Sequence, residues 1–139
     1  MYRPIIKTLW WEEGRLYIID QRYLPDREKI VELKNIRDVW SSIRNLSIRG
    51  APAIGCVAAY GIALSALKTN LQDREKFIQV ITRDINYIKT SRPTAYNLFF
   101  ALSRMEKVLK ERKNITVEEL KQRLVKEAED IYREDIKCC

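Results

Sequence analysis

The sequence predicts an α+β domain: a small antiparallel sheet at the N-terminus, then a bundle of about five helices. Three observations lead there. Residues 1–34 hold short β-rich runs separated by turn chemistry, and from residue 35 onward apolar residues recur at helical spacing. The 139 residues, 46% hydrophobic and 32% charged, are enough for one core of ordinary size and too apolar for a disordered chain.

The sheet comes first. LYIID (Leu16 to Asp20) is rich in β-formers and follows the turn-forming EEG. KIVEL (Lys29 to Leu33) follows LPDRE, whose Pro25-Asp26 pair favours a turn. IIKTLWW is the third strand, with Trp10 and Trp11 as its cover or, for one of them, an exposed ring. Three short strands at this spacing make a small antiparallel sheet.

The helices follow in order. NIRDVWSSIRNL places Ile36, Val39, Trp40 and Ile43 on one face, with Asn35 as its cap. The second helix runs from Pro52 to about Lys68 and is apolar nearly all round, as a central helix must be. Its small residues, among them Gly55, Ala59 and Gly61, let neighbours approach closely. DREKFIQVITRDINYIKT is the third, capped by Asp73, with Phe77, Ile81, Ile85 and Ile88 inward. TAYNLFFALSRMEKVLKE is the fourth, with Leu98, Leu102, Met105 and Leu109 as its stripe. The fifth opens on the capping box Thr116-Val117-Glu118-Glu119 and carries Leu120, Leu124, Ala128 and Ile131.

Composition excludes several functions. There is no histidine, so imidazole ligands and imidazole bases are ruled out. Cys56 falls in the apolar run and reads as a core residue, and Cys138 and Cys139 are adjacent at the end. Neither a zinc site nor a disulfide framework is expected. The net charge is +7, but residues 106–137 hold nine basic and nine acidic side chains, interleaved. The 17 basic residues among 1–105 are scattered, so a nucleic-acid partner is not expected. The 18-residue apolar run Gly50 to Leu67 falls short of the roughly 20 uncharged residues of a membrane span, so no membrane partner is expected either. The start of the chain lacks the apolar region of a secretory signal, which gives a cytoplasmic expectation.

Two junctions depart from ordinary helix starts. Arg49-Gly50-Ala51-Pro52 leads into the second helix, and Arg92-Pro93 comes just ahead of the fourth. Proline suits the first helical position, so Pro52 and Pro93 are each read as marking a helix start. The residue before a proline is pushed towards extended backbone, which would turn Ala51 and Arg92 out of the helical path. An arginine at a helix N-terminus is unfavourable by roughly 0.3–1 kcal/mol unless an anion reverses the sign. Bare N–H groups, a guanidinium fork and a glycine that admits close approach are the parts of a phosphate site. The competing reading is that the arginines pair with carboxylates or cap other helices. Asp20 is read as a solvated turn carboxylate, with the orientation of an arginine as the alternative. No catalytic constellation is complete.

RLYIIDQRYLP, IRNLSIRGAPAIGCVAAYGIAL, SRPTAYNLFFAL and EAEDIYREDI occur in the order and at the spacing seen in methylthioribose-1-phosphate isomerases, which the chain resembles over roughly residues 8 to 135. That family shares a superfamily with ribose-1,5-bisphosphate isomerases and with the alpha, beta and delta regulatory subunits of translation initiation factor 2B. The resemblance implies an aldose–ketose isomerisation of methionine salvage, from 5-methylthioribose 1-phosphate to 5-methylthioribulose 1-phosphate. It also implies substrate contacts from Arg49, Gly50, Ala51 and Arg92, and no metal or organic cofactor. The family carries a second, nucleotide-fold-like domain that supplies a cysteine and an aspartate for the chemistry, and these 139 residues hold no counterpart. Cys56 is not that cysteine, and Cys138 arrives too early. The chain is therefore expected to bind a sugar phosphate without turning it over, as a fragment, a truncated product or half of a split enzyme. Its partner is then a separate C-terminal half or a second copy in a homodimer. The alternatives are a ribose-1,5-bisphosphate isomerase and a regulatory, binding subunit of the translation-factor type.

Overall fold

The computed structural model describes residues 9–20, 29–45, 51–111 and 115–138. Three strands, β1 (Leu9–Glu12), β2 (Arg15–Ile19) and β3 (Ile30–Leu33), form an antiparallel sheet in the order β1-β2-β3. Five helices follow: α1 (Ile36–Arg44), α2 (Ala51–Lys68), α3 (Arg74–Lys89), α4 (Tyr96–Lys110) and α5 (Val117–Cys138). The α+β architecture is the expected one.

Strand pairing follows the alternation of side chains. Leu9 opposes Ile18 and Leu16 opposes Leu33, and all four are buried on the face turned to the helices. Between β1 and β2 the two turn residues, Glu13 at φ 51° and Gly14 at φ 74°, both lie in the left-handed region. That is the backbone of a two-residue hairpin, closed by the Glu12–Arg15 pair, and its twist matches the strands. The two tryptophans go to opposite faces. Trp11 stacks on Tyr60 of α2, with ring centroids 5.2 Å apart, while Trp10 stacks on its cross-strand partner Tyr17 at 5.5 Å. The first part of the expected third strand, residues 5–8, lies outside the described residues.

α2 is the axis of the molecule. It packs on each of the other four helices and on β1 and β2. Val57, Ala58, Ala59, Ile62, Ala63 and Ala66 have no exposed surface at all, which explains a helix without a polar face. Cys56 is buried there at 2% exposure, as a core thiol. Asp84 of α3, largely buried, accepts a hydrogen bond from Ser65 Oγ of α2. No described helix is long and apolar enough to cross a membrane.

Three helix starts obey ordinary capping chemistry. Asn35 Oδ1 accepts from the Asp38 N–H at 2.9 Å, and Asp73 Oδ1 accepts from the Glu75 and Lys76 N–H groups at 2.9 and 3.2 Å. Thr116 Oγ1 accepts from the Glu119 N–H at 3.1 Å, the forward half of the capping box. Each of these helices also carries an acidic residue in its first turn.

Candidate functional site

α2 and α4 start differently. Neither has an acidic residue in its first turn, and the residue before α4, Ala95, makes no side-chain cap. The start of α4 lies against the N-terminal half of α2. A Cβ placed on Gly55, in the second turn of α2, would sit 2.9 Å from the Asn97 carbonyl oxygen and 3.4 Å from Ala101 Cβ. Asn97 is the second residue of α4, so glycine is what lets the two backbones approach this closely. Two partial positive poles therefore face the same end of the bundle, unopposed by carboxylates of their own first turns.

Arg92 stands at that end, in the turn that connects α3 to α4. Its backbone is held from both sides. The Ser91 and Thr90 hydroxyls donate to the Ile88 and Tyr87 carbonyls, both at 2.6 Å, which closes the end of α3. Trp40 Nε1 donates to Thr90 Oγ1 at 2.9 Å and fastens that end to α1. The Ala95 N–H donates to the Arg92 carbonyl at 3.1 Å, so Arg92 to Ala95 form a tight turn. The side chain is partly buried, and Arg92 Nε donates to the Ile43 carbonyl at 3.0 Å in the last turn of α1. Arginine thus pairs with a carbonyl at the C-terminal end of α1. Its two terminal nitrogens make no hydrogen bond among the described residues.

This turn corrects the reading of Pro93. It does not start α4, which begins three residues later at Tyr96. Pro93 instead takes the second position of the Arg92–Ala95 turn, where its fixed φ is favoured. Pro52 does lie at a helix start, but as the second residue of α2. Ala51 is the first helical residue rather than being turned out of the helix, since the steric clash with the ring of a following proline disfavours helical backbone without forbidding it. Arg49 and Gly50 lie outside the described residues.

A second correction concerns Asp20. It is not solvated: it is 2% exposed, and its N–H extends the sheet by donating to the Lys29 carbonyl at 2.8 Å. It lines a groove of about 470 Å³ between the sheet and α1, together with Lys29, Lys34, Asp38, Ser42 and Asn45. Position at a strand end suggests exposure; the folded structure makes it an interior position. The groove has no signature in the sequence, because its walls come from two separated segments. Buried Tyr60 adds no acid–base chemistry at neutral pH, since burial raises its hydroxyl pKa well above the usual 10.

Comparison with known proteins defines the class first. The model of the initiation factor 2 subunit family matches residues 47–139, which hold both arginine–proline junctions and all of α2 to α5, and the chain belongs to that family. Within it, the chain is 45% identical over 131 residues to the methylthioribose-1-phosphate isomerase of Thermoanaerobacter sp., covering 94% of this chain and 38% of that protein. It is 43% identical over 123 residues to the 5-deoxyribose 1-phosphate isomerase of Petrotoga mobilis, covering 88% of this chain and 35% of the other. The crystal structure of 5-methylthioribose 1-phosphate isomerase from Pyrococcus horikoshii matches with a TM-score of 0.89 and 35% identity, over 94% of this chain and 36% of that one. Translation initiation factor eIF-2B, subunit delta, from A. fulgidus matches with a TM-score of 0.86 and 33% identity, over 95% of this chain and 38% of that one. The chain therefore spans less than two-fifths of the length of each of these relatives.

Proposed function

We propose that this chain is the substrate-gripping part of a sugar 1-phosphate isomerase, with 5-methylthioribose 1-phosphate as the substrate and 5-methylthioribulose 1-phosphate as the product. The observation that carries the reading is the pair of adjacent helix starts, α2 and α4, each without a first-turn acid, beside Arg92, whose terminal nitrogens make no hydrogen bond among the described residues. A phosphate dianion suits such a place, because backbone N–H groups, two helix dipoles and a guanidinium fork all favour negative charge. In this reading Arg49, Gly50 and Ala51 approach the phosphate from the start of α2 and Arg92 approaches from the turn before α4. The rigid turn holds Arg92 ready, so little side-chain entropy is lost when the anion binds.

Moving a carbonyl between C1 and C2 needs a group that shuttles a proton, or a path for hydride, with the developing charge stabilised nearby. The grip supplies position. The chemistry belongs to a further portion of polypeptide, and the isolated chain is expected to show no turnover. The relatives act on 1-phosphates of five-carbon sugars that differ at C5, and the grip addresses the phosphate they share. Metabolic relatives also favour a cytoplasmic setting.

Calorimetry tests the reading directly. The chain should bind 5-methylthioribose 1-phosphate, and Arg92→Ala should weaken binding by about 2 kcal/mol, the scale of one lost charged hydrogen bond. The matching substitutions of Arg49 and Arg92 in a full-length relative should each lower kcat/KM by about the same amount. Equal affinity in wild type and Arg92→Ala would remove the site, and turnover by the purified 139-residue chain would remove the division of labour. A regulatory subunit related to the A. fulgidus protein is the second reading; its 33% identity keeps it in view, and an absence of sugar-phosphate binding would favour it.

A further inference from the structure

Arg92 is held to α1 by one hydrogen bond, and a second link between the same two segments lies one turn earlier. On α1, Trp40 and Ile43 are three residues apart, neighbours on successive turns. Arg92 Nε donates to the Ile43 carbonyl at 3.0 Å. Trp40 meets the end of α3 twice. Its Nε1 donates to Thr90 Oγ1 at 2.9 Å, and its ring stacks on Tyr87, with centroids 5.8 Å apart and an interplanar angle of 19°. Thr90 and Tyr87 are themselves joined, because Thr90 Oγ1 donates to the Tyr87 carbonyl at 2.6 Å. Thr90 is the residue that ends α3, and Arg92 follows two positions later.

These contacts lie at the rim of the core. Trp40 is partly buried, and Tyr87 and Thr90 are exposed. The core-facing side chains of the same helices are others: Val39 and Ile43 on α1 and Ile85 and Ile88 on α3 have no exposed surface. An indole N–H can only donate, while a threonine hydroxyl both accepts and donates, so Thr90 completes a relay from α1 to the last turn of α3. The effect falls on Arg92. A guanidinium is planar, so fixing Nε sets the plane of the fork and leaves the two terminal nitrogens as its directed end. Nε reaches the Ile43 carbonyl only while the end of α3 keeps its distance from α1, and Trp40 sets that distance. A released arginine would spread over many rotamers, at an entropic cost to any anion that binds.

We propose that Trp40 is a positioning residue for Arg92: through Thr90 and Tyr87 it holds the end of α3 against α1 and so aims the guanidinium fork at the anion site. The purpose of that aim rests on the proposed sugar-phosphate grip; the aim itself does not. Hydrogen exchange at arginine Nε–H groups, read by NMR in the 139-residue chain, tests it. Trp40→Phe keeps an aromatic ring and removes the donor, and Thr90→Val removes the acceptor. In each, exchange at the Arg92 Nε–H should quicken by about three- to tenfold, the scale of one lost hydrogen bond. The Arg104 Nε–H, which donates to Glu127 at 2.7 Å between α4 and α5, should keep its wild-type rate. Thr90→Ser restores the acceptor and should restore slow exchange. An unchanged Arg92 rate in a folded variant overturns the proposal, and so does an equal rise at Arg104, the sign of general loosening. Should Trp40→Phe fail to fold, Thr90→Val decides by the same outcomes. Calorimetry with 5-methylthioribose 1-phosphate adds a second readout. Trp40→Phe should weaken binding by the same factor and add nothing to the loss in Arg92→Ala. Undiminished affinity in Trp40→Phe overturns the proposal, as does an equal further loss in the Arg92→Ala background, where Trp40 would be acting without Arg92. The expected exchange pattern in a chain that binds no sugar phosphate supports the positioning of Arg92 and removes the substrate reading alone.

Discussion

The N-termini of α1, α3 and α5 differ from those of α2 and α4 in what opposes their partial positive charge. In the first group Asn35, Asp73 and Thr116 accept hydrogen bonds from first-turn N–H groups, and Asp38, Glu75, Glu118 and Glu119 add negative charge. In the second group the first turns hold no acid, and Ala95 offers α4 no side-chain oxygen. α2 organises the whole core, so its first turn without an acid does not belong to a helix end of little consequence. The first turn without an acid that α2 shares with α4 is the feature that supports the proposed anion site.

Four measurements would break or sharpen this contrast. The largest effect is expected from Gly55→Ala. The new Cβ meets the Asn97 carbonyl, a backbone atom, so the two bare ends must separate. Overpacking should outweigh the gain in helix propensity, for a net loss of about 1–2 kcal/mol in urea unfolding, together with weaker anion binding. An unchanged melt would mean that the two ends are not locked together.

Asp73→Ala comes next. It frees two N–H groups at the start of α3 and should cost about 1 kcal/mol in the same unfolding assay. Anion affinity should stay at the wild-type value, and a parallel loss would show that α3 belongs with the second group.

Ala95→Asp imitates the first group at the start of α4. Ala95 already has the extended backbone of a cap, so the carboxylate should stabilise the free chain by about 0.5–1 kcal/mol. The same carboxylate occupies the pole that a phosphate would use, so sugar-phosphate binding should fall as stability rises. Stabilisation without loss of binding would place the ligand elsewhere.

The smallest effect at neutral pH concerns α2 away from its bare end. Burial raises the Tyr60 pKa, so the folded state keeps the proton longer than the unfolded state. Stability is then undiminished below the ordinary value near 10 and declines as pH rises above it. Tyr60→Phe should be nearly neutral at pH 7, where the ring still stacks on Trp11, and should flatten the alkaline decline in urea melts. An equally steep decline in the variant would assign it to other groups.

Much of the frame is legible in the sequence. Helix bounds fall within a residue or two wherever a cap coincides with a periodic apolar stripe, as at Asn35 and Asp73. The start of α4 is misplaced from sequence because proline serves equally well at a helix start and at the second position of a turn. Local chemistry does not separate the two; the hydrogen bond from Ala95 to Arg92 does. Asp20 is misplaced for a related reason. Its neighbours along the chain describe a strand end, and the interior character of that end appears only in the folded structure.

What the sequence determined by itself was periodic and local: three strands, five helices, three caps, and two arginine–proline junctions outside the usual pattern. These follow from interactions within a few residues, where side-chain spacing and backbone preference suffice. Tertiary structure decided which features meet. It set the start of α4 against the N-terminal half of α2 through Gly55, gave Arg92 the carbonyl of Ile43, and left Tyr96 and Phe100 outside the core. Each of these depends on contacts between segments far apart in the chain. Their partners are chosen by the packing of whole helix faces, which no short stretch of residues encodes.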